Sequence, residues 1–313
     1  MVGQRLVWWG RCGLVTGAVI GVTVLSATGC GRILGLSGRP ASPATASARA
    51  AASGAVPPST ASRLPAPSVS SPSPAVPSGS APSGAVTGKG SGAGRLPLAG
   101  KVVAVDPGHN GGNFTHLADI GRRIWNGREW EDCNTTGTAT DGGYTEALFN
   151  FRVATDLRAD LLADGARVVM TRTSNTGVGP CVNERATFIN DAHANVGIAI
   201  HADGAAPSGR GFAVLVPVAD GPNDTIISSS LAFADDVRAA MLAGTPLPVS
   251  SYDGTDGIQP RDDLAGLNLA EVPMVLIEVG NMRNATDAAL QTTSAFQQAV
   301  ALALSAAILR FLT

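Results

Sequence analysis

The stretch "VVAVDPGHNGGN", residues 102–113, decides how this chain is read. Its first four residues are an unbroken apolar run, the pattern of a strand buried on both faces of a sheet. The run breaks at Asp106, Pro107 and Gly108, and a histidine follows in a segment too rich in Gly and Asn to pack an imidazole. His109 therefore either caps a turn or is held out to meet something.

Two later apolar runs end the same way. "IAI" leads into His201-Ala202-Asp203-Gly204, and "VLI" leads into Glu278-Val279-Gly280-Asn281. Around them, strand-like runs at 101–105, 166–170, 196–200, 211–218 and 273–280 alternate with helical patterns at 144–164, 182–194, 228–242 and 287–312. Apolar strands separated by helices predict an α/β domain whose sheet is covered by helices on both faces. Residues 110–143 lack a hydrophobic pattern and are expected to lie outside the core.

In open α/β sheets the carboxyl ends of the strands line the ligand crevice. Two histidines and a glutamate at such ends can converge, and Glu146, in the first turn of the helix after Gly142-Gly143, is a fourth candidate. Two imidazoles and one carboxylate with an open position make a catalytic zinc site. A further carboxylate must then take and return a proton. His109, Glu146 and His201 with Glu278 supply that set. A single histidine beside a turn is usually structural, but three strand ends carrying such groups favour ligation. Glu129 and Glu131 in "REWEDC" compete with Glu146 for the carboxylate position.

Charge narrows the partners. The net charge of −2 hides a split: residues 1–95 hold eight Lys or Arg and no acid, whereas 96–313 hold 14 basic and 24 acidic residues, a net −10. An acidic domain is a poor partner for nucleic acid. At the N-terminus, Arg5 and Arg11 precede an uncharged, mostly apolar stretch at 13–26, too short for an ordinary membrane span and suited to an export signal. It runs into "LSATGC", residues 25–30, which resembles a bacterial lipobox with Ala27 where Leu is commonest. The expected organisation is a lipoprotein-type signal at 1–29 with Cys30 lipidated, a disordered Ser/Ala/Pro/Gly tether at 30–95, and a catalytic domain at 96–313. Ordinary secretion and an uncleaved anchor are the alternatives.

"VVAVDPGHNGGN", a Glu early in the next helix, "IAIHADGA" and "VLIEVGNMRN" together resemble the zinc-dependent N-acetylmuramoyl-L-alanine amidases of the Amidase_3 type. The resemblance covers nearly all of 100–313, and "GPCVNERATFIN" and "RDDLAGLNLA" resemble its actinobacterial single-domain branch. It implies a central six-stranded sheet and one zinc ion on His109, Glu146 and His201, with Glu278 as catalytic base. It also favours Glu146 over its competitors, because the family places that ligand at a helix start. The implied substrate is peptidoglycan or its fragments, cut between N-acetylmuramic acid and L-alanine of the stem peptide. A stem-peptide-trimming metallopeptidase and a catalytically silent wall-binding lipoprotein are the rival readings.

The remaining residues carry weaker expectations. Cys133 and Cys181 are left for an exported domain; such pairs usually form a disulfide, here worth about 3–4 kcal/mol in the chain-entropy model, and the actinobacterial relatives carry a matching pair. A thiolate zinc site is the rival. Asp106 either orients a ligating histidine or bonds backbone N–H groups of its turn. Arg261, Asp263 and Asn268 either contact the acidic stem peptide or form a structural salt bridge, and Arg210 is a weaker candidate. His193, near a predicted helix C-terminus, reads as structural and His116 as solvent-facing. Between His201 and Glu278 there is no long extra segment that could carry a blocking helix, so the domain is expected to be free of that form of autoinhibition. It is also expected to be a monomer.

Overall fold

The buried run at 102–105 becomes an inner strand of a six-stranded sheet. The structure, a computed structural model, describes residues 95–313; the expected signal, Cys30 and all but the last residue of the expected tether lie outside the described residues. In chain order the elements are β1 (Val102–Pro107), α1 (Leu117–Ile120), β2 (Arg123–Trp125), β3 (Trp130–Asp132), α2 (Glu146–Ala163), β4 (Arg167–Met170), α3 (Val182–Asp191) and β5 (Val196–Asp203). They continue with β6 (Ala213–Pro217), α4 (Ile227–Gly244), β7 (Ile258–Arg261), α5 (Ala265–Asn268), β8 (Met274–Asn281), α6 (Ala285–Gln291) and α7 (Ser294–Leu312).

The strand order is β4-β1-β5-β8-β6-β7. The first four strands are parallel, β6 runs antiparallel to β8, and β7 is parallel to β6. The sheet is therefore mixed and mostly parallel, with helices on both faces.

Alternate residues of the strands serve two different layers. Ile198 and Ile200 of β5 and Ile277 and Val279 of β8 enter the larger core, with Phe149 and Leu157 of α2, Phe233 of α4 and Leu304 of α7. Fully burying each such side chain stabilises the fold by roughly 1.5–3 kcal/mol, so this face carries most of the stability. Helix α7 is long and apolar enough to cross a membrane, but half of it is buried inside the domain. The opposite face is thinner. There Ala199, Met274 and Leu276 meet Ile189 of α3 and Leu267 of α5. His201 and Glu278 alternate onto this second face.

Three features differ from the sequence expectation. The sixth strand, β7, contains Pro260 and sits at the sheet edge, where a missing N–H costs no ladder bond. The predicted helix at 287–312 is two helices, because Asn284 and Thr293 each cap a new N-terminus through the side chain. Residues 110–143 are outside the main core but build a small one of their own: β2 and β3 pair as a ribbon, and Ile124 packs with Cys133, Cys181 and Ala265.

Candidate metal centre

His109, Glu146 and His201 converge, with their ligand atoms all within 4.8 Å of one another. Glu146 Oε1 lies 3.0 Å from His109 Nε2 and 2.9 Å from His201 Nδ1. A tetrahedral zinc with bonds of about 2.0–2.1 Å would set its ligand atoms roughly 3.3 Å apart, so two of the three separations need little adjustment. The remaining contacts aim the donors. The Thr138 amide donates to Glu146 Oε2 at 2.9 Å, leaving Oε1 to face both rings. His109 Nδ1 lies 3.2 Å from the Thr135 carbonyl, which favours the tautomer with a free lone pair on Nε2. This donor set fits zinc.

Each candidate ligand is placed by a local backbone device. Glu146 opens α2, where the helix dipole favours a carboxylate. His201 ends the apolar part of β5 and stands in register with Glu278 on β8, so both side chains leave the same face of neighbouring strands. His109 has φ +57°, a left-handed conformation that costs a non-glycine residue energy and must be held by its surroundings. Gly108 is required by packing: a Cβ there would lie 2.2 Å from the His201 ring.

The turn carrying His109 is held by two buried arginines that sequence reasoning missed. Arg172 donates to the carbonyls of Pro107 at 2.7 Å and Gly108 at 3.2 Å. Arg185 donates to those of Pro107 and His109, each at 2.9 Å. Asp106 touches neither imidazole and does not bond its own turn; it accepts from Arg185 and Thr171. Asp106 neutralises the guanidinium that grips the turn, in place of a direct bond to an imidazole or to the backbone of its own turn. Burial alone would raise the Asp106 carboxyl, but Arg185 and Thr171 outweigh it and hold it below the usual range. Burial and the neighbouring Arg185 cation push Arg172 down to about 9.

Charges within the site are displaced in opposite directions. Burial, then the negative charges of Glu146, Asp203 and Asp253, push Glu278 well above the carboxylate range, against Arg261. Burial also opposes ionisation of Glu146, but His109 and His201 hold it well below its ordinary value. Burial disfavours the His109 cation, yet Glu146 raises its pKa. Glu278 Oε2 is buried without a hydrogen-bond partner. His109, Glu146, His201, Glu278 and Arg261 border one cleft of about 490 Å³.

The weaker candidates separate. Arg261 lines this cleft while gripping Asp263 through two hydrogen bonds of 2.7 and 2.6 Å. Asn268 is fully buried, donating to the Asp262 carbonyl, and has no surface to offer a substrate. Arg210 pairs with buried Asp287. His193 is exposed at the end of α3 with φ +48°, and His116 is exposed; neither joins the site. Glu129 is exposed, while Glu131 borders a cavity of about 160 Å³ that reaches His109 and His201. The Cys133–Cys181 disulfide ties the ribbon to the N-terminus of α3, the helix that carries Arg185.

The fold and this donor set define an α/β domain with a candidate metal site at the carboxyl ends of its strands. A profile of the N-acetylmuramoyl-L-alanine amidase family, Amidase_3, matches residues 103–310, and the chain belongs to that family. It is 41% identical over 216 residues to N-acetylmuramoyl-L-alanine amidase Rv3717 of Mycobacterium tuberculosis, covering 69% of this chain and 88% of the relative. Among solved structures it resembles the N-acetylmuramyl-L-alanine amidase Ami1 of Mycobacterium smegmatis, with TM-score 0.65 and 42% identity over 69% of this chain and 98% of that one. Ami1 of Mycobacterium abscessus is similar, with TM-score 0.65 and 38% identity over 69% of this chain and 100% of that one.

Proposed function

We propose that this chain hydrolyses the amide between the lactyl group of N-acetylmuramic acid and L-alanine of the stem peptide, as a zinc enzyme of the cell envelope. The observation that carries the reading is the convergence of His109, Glu146 and His201 beside Glu278, whose Oε2 has no other partner. When bound, zinc would supply a polarised scissile carbonyl and a water acidic enough to be a nucleophile near neutral pH.

The chain's own residues do the rest. Glu278, in register with His201, takes the proton of the attacking water and returns it to the leaving L-alanine nitrogen. Glu146 and the two imidazoles hold the ion, and Arg185 and Arg172 keep the His109 turn from relaxing. Arg261, on the cleft wall, is the proposed contact for a stem-peptide carboxylate. Export, lipidation at Cys30 and a monomeric state are proposed from the sequence and family.

Zinc stoichiometry followed by digestion of muramyl dipeptide, with products read by mass spectrometry, tests the proposal. Release of the intact dipeptide from muramic acid is expected; release of single amino acids would indicate a stem-peptide-trimming peptidase instead. Glu278→Gln should keep its zinc and lose activity by roughly 10²–10⁴-fold, whereas His201→Ala should lose both. A zinc-replete Glu278→Gln protein with full activity would remove Glu278 from the role of base.

A further inference from the structure

The β2–β3 ribbon has two faces of different character. Register pairs Arg123 with Asp132, Ile124 with Glu131 and Trp125 with Trp130. The middle pair points inward: Ile124 is buried in the small core and Glu131 borders the cavity behind the metal ligands. The outer pairs face solvent. Trp125 is 46% exposed and Trp130 59%, their rings edge to face with centroids 5.8 Å apart. A cross-strand aromatic pair contributes only about 0.2–1 kcal/mol to a ribbon, a small return for leaving two indoles in water.

The ribbon is also fixed in place over the site. The disulfide holds one end. At the turn, Arg128 pairs with Asp220 at 3.0 Å and donates to the Ala219 carbonyl, and Asn126 donates to the Asp263 carbonyl. The ribbon therefore spans the cavity from α3 to the loop before α5, and its continuation, Asn134 and Thr135, borders the cavity that opens at His109 and His201. Beside the indoles on the outer face lies the Arg123–Asp132 ion pair.

We infer that the outer face of this ribbon is a stacking platform for the sugar rings of a glycan chain whose stem peptide occupies the cleft. The inference rests on the amidase reading and extends it to the polymer on either side of the cleaved bond. Sugar rings have apolar C–H faces that lie on aromatic rings and hydroxyls that bond to a carboxylate and a guanidinium. The ribbon presents both on a rigid support, so little ordering cost is left for binding. Charge selects a neutral glycan over an anionic bilayer: residues 117–132 carry three arginines against four acidic residues.

The test uses the full chain carrying Glu278→Gln, so that binding is read without turnover. Trp125→Ala, Trp130→Ala and the double substitution are compared in sedimentation with purified sacculi and in titration with soluble N-acetylglucosamine oligomers. Each single change should weaken binding by roughly tenfold, the scale of truncating an aromatic anchor, and Tyr at either position should restore much of it. With Glu278 intact, the double variant should cleave muramyl dipeptide at the unsubstituted rate, which also shows that it folds. Undiminished binding of the double variant to sacculi and oligomers would overturn the inference. So would indole-dependent binding to phosphatidylglycerol vesicles without binding to oligomers. Failure to cleave muramyl dipeptide in every variant, with indole-dependent glycan binding intact, would count against the amidase reading alone.

Discussion

Asp106→Asn asks whether the site is supported by charge or by shape. The substitution keeps the outline of the side chain and removes its charge, leaving the Arg185 guanidinium buried without an anion. The side chains of Arg185 and Asp106 are 3% and 11% exposed, so water cannot replace the lost partner. Removing one member of a buried pair costs about 3–5 kcal/mol, a large share of the roughly 5–15 kcal/mol that holds a domain together. The expected result in urea at pH 7 is a loss of that size, with a melting temperature lower by roughly 10 °C. Acid should erase the difference. The folded pKa of Asp106 is lowered from 3.8, so its contribution is complete above the unfolded value and disappears as the pH falls through the folded one. The double variant Asp106→Leu with Arg185→Met removes both charges and should regain most of the stability. It should still bind zinc less tightly, because nothing then grips the His109 carbonyl. A loss below about 1 kcal/mol in Asp106→Asn, unchanged on acidification, would refute the account.

Three further outcomes are expected. Gly108→Ala would place a methyl 2.2 Å from the His201 ring, so zinc affinity measured by chelator competition should fall by at least the roughly 10–100-fold seen when ligand orientation is disturbed; wild-type affinity would show that the ring has room to move. Glu131, half-buried, is pushed from 4.5 up to about 7 by burial and then by Asp263 and Glu129. Its carboxyl binds a proton more tightly folded than unfolded, so stability falls as pH rises from about 4.5 through 7. The full shift corresponds to about 3.4 kcal/mol, and solvent screening reduces this to roughly 1–2 kcal/mol. Glu131→Gln should therefore stabilise at pH 8 and not at pH 4, and an equal effect at both pH values would count against it. Replacing Cys133 and Cys181 by Ser opens a loop of sequence separation 48 and should cost about 4 kcal/mol in the chain-entropy model, read by denaturant unfolding. An unchanged midpoint would mean that the ribbon is held by its polar contacts alone.

Much of this site could be read from one dimension. Apolar runs of four or five residues announce buried strands, and an abrupt change to Asp-Pro-Gly-His or His-Ala-Asp-Gly marks where each strand leaves the core. His109, His201 and Glu278 follow from that pattern, since strand ends converge by the geometry of a parallel sheet. Glu146 was different. Its position at a helix start was legible, but its preference over Glu129 and Glu131 came from family resemblance. The strand β7 escaped notice because an edge strand of four residues with a proline has no apolar run to announce it.

What only the tertiary structure decided is the support of the site. Arg185 sits in "NERATFIN", where an arginine among polar residues reads as a solvated helix face, yet it is 2% exposed. Its role depends on which face of α3 meets the sheet and on two carbonyls, those of Pro107 and His109, brought to it from a turn more than 70 residues earlier. Burial of a charge is a property of what surrounds it, and those surroundings are assembled only by packing. The sequence by itself determined the order of the strands' apolar runs and the chemistry at their ends. Folding determined which charges lost their water, and therefore which of them had to be paired.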